Sequence, residues 1–366
     1  MKKNKLLVVI GVAVLIGLVS LMAYKSQNHS ASDDVIRIGA ILPLTGNIAY
    51  FGEPERNAIE LFKEIEPNIR LDVYYEDSRN DPGKAVSAYN KLYNLNGVKC
   101  FISQMTGVNL ALTPLAEKNK TFLFSLAMDP IIAQRSRYVI RCYEDVADES
   151  YAVWHDVSKK WDISKVKMAI GYLDDPWGLY ARDAFVKASN NQSGVVYVPF
   201  AADTKVNDVV PKLMEDSPNV IFIIGYGPIV ANIVRSLKES KCQAQIYGNI
   251  GMSWDYILRM AGSAIEGCLI AMPSFDPYDL SVDFTKRYRE KYGILPNFEA
   301  AYTHDAISLM VTFLKSRQDT FTIKEYSGIC GDYKFDDDGN SRMTNVAIRK
   351  VTDGKLKTDS IYSKQE

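Results

Sequence analysis

The chain is poor in the residues that usually build a metal centre. Its three histidines, His29, His155 and His304, are far apart, and no two cysteines stand in a CxxC spacing. A zinc site of ordinary ligand spacing is therefore not encoded. There is no GxSxG elbow, which removes the nucleophile of the α/β-hydrolases. No GxxxxGK[ST] or GxGxxG follows an apolar run, so a nucleotide-phosphate cradle is unsupported. One-sided charge is missing as well: the formal net charge is −1, with no long Lys/Arg run beyond the N-terminus. That balance argues against nucleic acid, whose phosphates need a concentrated basic surface. Short-period repeats and low-complexity tracts are absent too.

What is present begins with an export signal. Lys2, Lys3 and Lys5 precede an apolar stretch over 6–23, broken only by Ser20. A basic segment followed by an apolar one directs export. The stretch has about the length that spans a bilayer, so retention as an anchor is an alternative to cleavage. Ala23 suits the end of a cleavage site, but Leu21 is large where a small residue is preferred. No cysteine follows the stretch, so a lipid anchor is not supported. The lysines place the N-terminus on the cytoplasmic side and the remainder outside. The five cysteines are Cys100, Cys142, Cys242, Cys268 and Cys330. Being odd in number, they leave at least one free if all pairing is internal. Cys100 and Cys268 sit in apolar runs and read as small core residues; no disulfide is predicted.

Beyond a polar linker ending near Asp34, apolar runs alternate with helical periodicity. Strands are predicted at 35–42, 71–75, 98–103, 121–125, 166–172, 195–200, 220–224, 245–248 and 267–272, and helices fill most of the gaps. Strand–helix alternation means βαβ units and parallel sheets. A chain of 366 residues exceeds the ~250–300 that one core supports, so two lobes are expected. After two helices near 282–292 and 297–315 the pattern changes. Runs at 331–335 and 345–351 read as a hairpin across Asp336-Asp337-Asp338-Gly339-Asn340. A calcium loop is rejected there, because Ser341 stands where that loop needs glycine and Ala347 where it needs glutamate. Turn chemistry accounts for the acidic cluster.

Ligands of open α/β sheets sit beyond the C-terminal ends of the strands. Here those ends carry hydroxylic, small and aromatic residues: Thr45 to Gly52, Gln104 to Asn109, Leu126 to Pro130, Asp175 to Gly178, and Gly225 to Pro228. Hydroxyls and N–H groups at helix N-termini suit an anion such as a carboxylate. Taken singly, Thr106 or Asn109 reads as a helix cap and Phe51 or Trp177 as core. The recurrence at several strand ends favours a binding site. Asp174-Asp175 precede Pro176 and read as a solvated loop rather than an acid–base pair.

The opening Ile36-Arg37-Ile38-Gly39-Ala40-Ile41-Leu42-Pro43-Leu44-Thr45-Gly46, followed by Tyr50-Phe51-Gly52, resembles the leucine/isoleucine/valine-binding family of type I periplasmic binding proteins. The likeness continues in Tyr75-Glu76-Asp77-Ser78, Asp81-Pro82, Trp177-Gly178, Gly225-Tyr226-Gly227, Glu266-Gly267 and Ala300 to Ala306. Order and spacing carry it, over about 35–351. The resemblance implies an α/β fold of two doubly wound parallel-sheet lobes joined by three crossover strands. It places 35–142 with 273–328 in one lobe and 143–272 with 329–366 in the other, after a signal or anchor with linker over 1–34. The implied activity is solute capture for an ABC importer, in which the two lobes close by a hinge. The partners would be a small-molecule solute and a membrane permease, with no enzyme activity, cofactor or metal, and the chain a monomer.

Carried over by position, Thr106 and Gly107 hold a ligand carboxylate and Ala127 contributes backbone. Asp129 falls where the family commonly has threonine. Phe51 and Trp177 cover the solute, and Tyr226 faces an ammonium end. Ile250 replaces the acidic residue that amino-acid binders use for that ammonium. A desolvated ammonium without a carboxylate is costly. Either Asp129 substitutes from the other lobe or the solute lacks an amino group. The solute is thus an amino acid or a related small carboxylate or amide, with an apolar or planar part. Two alternatives remain: a sensor of the same fold anchored by 6–23, and an enzyme on a related scaffold.

Overall fold

A computed structural model describes residues 35–46, 48–343 and 345–363. The predicted signal or anchor lies outside these residues. No helix among those described is long and apolar enough to cross a membrane.

Two large sheets organise the chain. The first has the order β2-β1-β3-β4-β5, from β1 (Ile36–Leu42), β2 (Leu71–Asp77), β3 (Cys100–Gln104), β4 (Phe122–Leu126) and β5 (Val139–Arg141). All its pairings are parallel. Between these strands run α1 (Ala49–Ile65), α2 (Pro82–Asn96), α3 (Thr106–Asn119) and the single turn α4 (Ile131–Gln134). β3 is buried along its whole length and β1 along most of it, as strands with both faces covered must be. The loops carry the helix signals. Asp81 caps α2 by accepting the Lys84 N–H, Pro82 opens the helix, and Gly97 ends it in a left-handed conformation.

The second sheet runs β15-β14-β10-β9-β8-β6-β7. Its parallel part is β6 (Met168–Leu173), β7 (Val195–Phe200), β8 (Val220–Ile224), β9 (Gln245–Gly248) and β10 (Leu269–Pro273). The helices of this half are α5 (Val146–Lys160), α6 (Pro176–Ala188), α7 (Val206–Met214), α8 (Pro228–Glu239) and α9 (Asp255–Ala261). The expected all-parallel sheet is extended by two antiparallel strands, β14 (Asn345–Thr352) and β15 (Lys355–Ser363). They form a hairpin through Asp353 and Gly354, both at positive φ.

The chain passes between the two sheets three times. It leaves the first after β5, through 142–145. It returns after β10 to α10 (Asp283–Tyr292) and α11 (Phe298–Lys315), the latter packed on α1 and β4. It then forms a small sheet of β11 (Glu325–Ser327), β12 (Asp332–Phe335) and β13 (Ser341–Met343) before entering β14. The expected hairpin of 331–335 with 345–351 is therefore corrected: β12 pairs with β13. A three-residue strand leaves too short a pattern to see. Tyr333 of β12 donates to Asp305 of α11, and Phe335 packs on Phe321, which meets Phe124 of β4. These contacts hold β12 against α11 and β4 of the first half.

Candidate ligand-binding cleft

A cavity of about 500 Å³ lies between the two halves, at the C-terminal ends of β3 and β4 on one side and of β6, β8 and β9 on the other. All eight residues singled out from the sequence line it: Phe51, Thr106, Gly107, Ala127, Asp129, Trp177, Tyr226 and Ile250. Tyr143 and Asp175 line it too and were not singled out. Tyr143 lies in the first crossing, where no strand end marks it, and Asp175 reads in the sequence as part of a solvated loop.

The first half contributes backbone. Met105 precedes α3 with φ 77°, unusual for a residue other than glycine. Its carbonyl accepts both the backbone and side-chain N–H of Asn109, which fixes the start of the helix. Thr106 and Gly107 follow as the first helical residues. A Cβ built on Gly107 would meet no atom within 4 Å, so this first turn stands open to the cavity. A helix N-terminus of this kind favours negative charge. Asp129 accepts the Ile131 N–H with one oxygen.

The second half contributes rings. Asp175 caps α6 through the Gly178 N–H and accepts the Tyr226 hydroxyl at 2.8 Å. Burial first, and this carboxylate second, push the Tyr226 phenol above its ordinary value, so it stays protonated. That hydroxyl's proton is directed at Asp175, while its oxygen remains an acceptor. The Trp177 indole N–H points at the Met128 sulfur across the cleft, 2.8 Å away. Trp254 meets Phe51 at 5.2 Å and Tyr50 at 6.0 Å between ring centroids. An aromatic belt therefore joins the two halves around the cavity.

Ile250 is 1% exposed, and its N–H donates to Glu149. Its neighbour Asn249 accepts the Gly225 N–H, while its amide nitrogen is buried without a partner. Among the described lining residues there is no Lys or Arg. No group of three or more His, Cys, Asp or Glu among the described residues is placed to hold a metal. The acidic segment 336–340 is a turn in which Asp336 accepts the N–H groups of Asp338 and Asn340. All five cysteines are free thiols.

A sequence model of the periplasmic binding protein family matches residues 35–355. The chain belongs to that family. Leu/Ile/Val-binding protein homolog 2 of Brucella abortus is 22% identical over 355 residues, covering 89% of this chain and 93% of the relative. Among solved structures, the leucine binding protein LivK of Thermotoga maritima superposes with a TM-score of 0.77 at 22% identity, covering 90% of this chain and 99% of that one. A solute binding protein of an ABC transporter from Rhodopseudomonas palustris, in complex with 3,4-dihydroxybenzoic acid, gives 0.77 at 21% identity, covering 90% and 98%. These similarities establish the type I periplasmic binding protein fold. The named relatives are binding proteins, not enzymes.

Proposed function

We propose that the chain is the extracytoplasmic solute-binding subunit of an ABC importer, exported to the outer face of the membrane and delivering its solute to a permease. It closes by hinge motion on a small monocarboxylate with an apolar or planar body. One observation carries this reading: a cavity between the halves that pairs the open N-terminal turn of α3 with an aromatic belt and no cationic side chain. The helix end suits one carboxylate, and the rings suit a flat apolar body. Ile250 offers no charge, and Asp175 is already engaged by two donors. Among the lining carboxylates, Asp129 accepts one recorded hydrogen bond, from the Ile131 N–H, against two on Asp175, so an α-amino group would find its partner most readily at Asp129. The ligands named for the relatives, leucine and a dihydroxybenzoate, bracket the same class.

A thermal-shift screen against aliphatic amino acids, benzoates and amides tests the proposal. A ligand at about one hundred times its dissociation constant stabilises by about 2.7 kcal/mol. Thr106→Ala and Trp177→Ala are expected to weaken the best ligand at least tenfold, about 1.4 kcal/mol, with the fold intact. Unchanged affinity in both variants rejects the site.

A further inference from the structure

Behind the cleft lies a feature that solute binding does not use. Four glutamates gather where the two halves join. Glu55 of α1 and Glu299 in the first turn of α11 come from the first sheet's side. Glu144 lies in the first crossing, and Glu149 in the first turn of α5 on the second sheet's side. None is more than 3% exposed. Glu299 acts electrostatically on Glu55 and Glu144, and Glu144 acts on Glu149. The cluster adjoins the cavity: Glu149 accepts the N–H of Ile250, and Tyr143, which lines the cavity, directly precedes Glu144.

Three of its members are poorly compensated, while Glu299 is partly offset by its own backbone N–H. Both oxygens of Glu55 and one each of Glu144 and Glu149 are buried without a partner in hydrogen-bond geometry. Gln104 offsets the burial of Glu55 in part. Tyr302 donates to Glu144 at 3.4 Å. The other charged or titratable groups facing the cluster are Asp145, Asp148, Tyr143, Tyr50, Tyr256, Cys330 and Arg141. Arg141 is the cation among them, and its guanidinium is taken up by four carbonyls and the Asn340 side chain. Carboxyls so placed hold their protons rather than bury uncompensated charge.

We propose that this cluster is a proton-operated latch: the halves stay together while the glutamates are protonated, and opening the cleft hydrates and ionises them. The latch rests on the hinge closure proposed above. It makes opening easier as pH rises. Burial pushes Glu299 up to about 7, and it raises Glu55, Glu144 and Glu149 above their ordinary value. Below about pH 4.5 both forms are protonated and the latch gives no bias. Between there and pH 7 the open form ionises while the closed form still holds its protons. The ratio of closed to open protein therefore falls about tenfold per pH unit for each proton released.

Small-angle scattering on the ligand-free protein between pH 5.5 and 8.5 reads this directly. The radius of gyration should grow with pH in the parent. It should change less in Glu299→Gln and least in the double variant Glu144→Gln/Glu299→Gln. Circular dichroism checks that each variant is folded. A parent radius that is constant over the window overturns the latch, as does an undiminished dependence in a folded double variant. Compaction on adding the best solute of the screen, at fixed pH, tests the hinge separately. Compaction by solute without any pH dependence removes the latch and leaves the binding function standing.

Discussion

Around the crossings, two sets of charged groups are buried to the same depth and treated in opposite ways. Arg141 is wholly buried, yet it donates to the carbonyls of Met128, Tyr143, Glu144 and Ser341 and to the Asn340 side chain. Asp305 is 1% exposed and accepts the N–H groups of Ile329 and Cys330 and the Tyr333 hydroxyl. Three of the four glutamates beside them, Glu55, Glu144 and Glu149, leave buried oxygens without a partner. A buried charge with a full set of hydrogen bonds fixes the backbone around it, while one without them is driven to its neutral form. The first set ties the first crossing to the turn before β13, and the loop before β12 to α11. The second leaves the junction of the halves sensitive to protons. Each substitution below should follow that division.

The largest effect is expected at Arg141. Arg141→Met keeps much of the apolar stem but takes a donor from four carbonyls and an amide inside the junction, of which the Tyr143 carbonyl keeps the Ser341 hydroxyl. A loss of about 3–5 kcal/mol is expected, of the order seen when one side of a buried charged network is removed. Urea unfolding monitored by tryptophan fluorescence measures it. A loss below 1 kcal/mol would show that the guanidinium is not what holds the first and third crossings together.

Asp305→Ala should come next, at about 2–3 kcal/mol, because two backbone N–H groups and a phenol lose their acceptor. A Cβ on Gly328 would already collide with the Asp305 carboxyl, its nearest atom lying 2.3 Å away. Gly328→Ala should therefore reproduce part of the same loss through the opposite partner. Thermal unfolding of both variants and of the double variant gives the coupling. Simple additivity would break the claim that the two share one contact.

The legibility of the sequence follows the same physics. The central strands were readable because sheets covered on both faces demand unbroken apolar runs, as in Val220 to Ile224. Seven of the eight chosen residues follow predicted strand ends, where ligands gather, and Ile250 comes from the family resemblance alone; all eight line one cavity, whose use as a binding site is the proposal made above. The third crossing was not readable. β11 and β13 span three residues each, too few for period-two alternation to show, and β15 is a polar strand at an edge. Tyr143 escaped because a crossing has no pattern of its own. The glutamate cluster escaped for a stronger reason. Glu55, Glu149 and Glu299 look like ordinary exposed helix residues in sequence and Glu144 like a linker residue, and only the packing of α1, α5, α11 and the first crossing brings them together.

The smallest expected effect separates the two sets most sharply, because its sign differs. Glu55→Gln removes a buried ionisable group neither of whose oxygens has a hydrogen-bond partner. Its carboxyl is raised above the ordinary value by burial first and by Glu299 second. In the unfolded chain the same group titrates near 4.3. At pH 4, just below that value, Glu55 is mostly neutral in the unfolded chain as well as the folded one, so glutamine should change stability by less than about 0.5 kcal/mol. As pH rises, the unfolded chain gains stability from ionising this glutamate, and the variant is spared that loss. At pH 8 Glu55→Gln should therefore be the more stable protein, by about 1 kcal/mol, in line with other buried charges replaced by neutral groups of similar shape. Unfolding curves at the two pH values decide it. A variant less stable than the parent at pH 8 would mean that an ionised Glu55 is held by a partner, and the contrast with Asp305 would disappear.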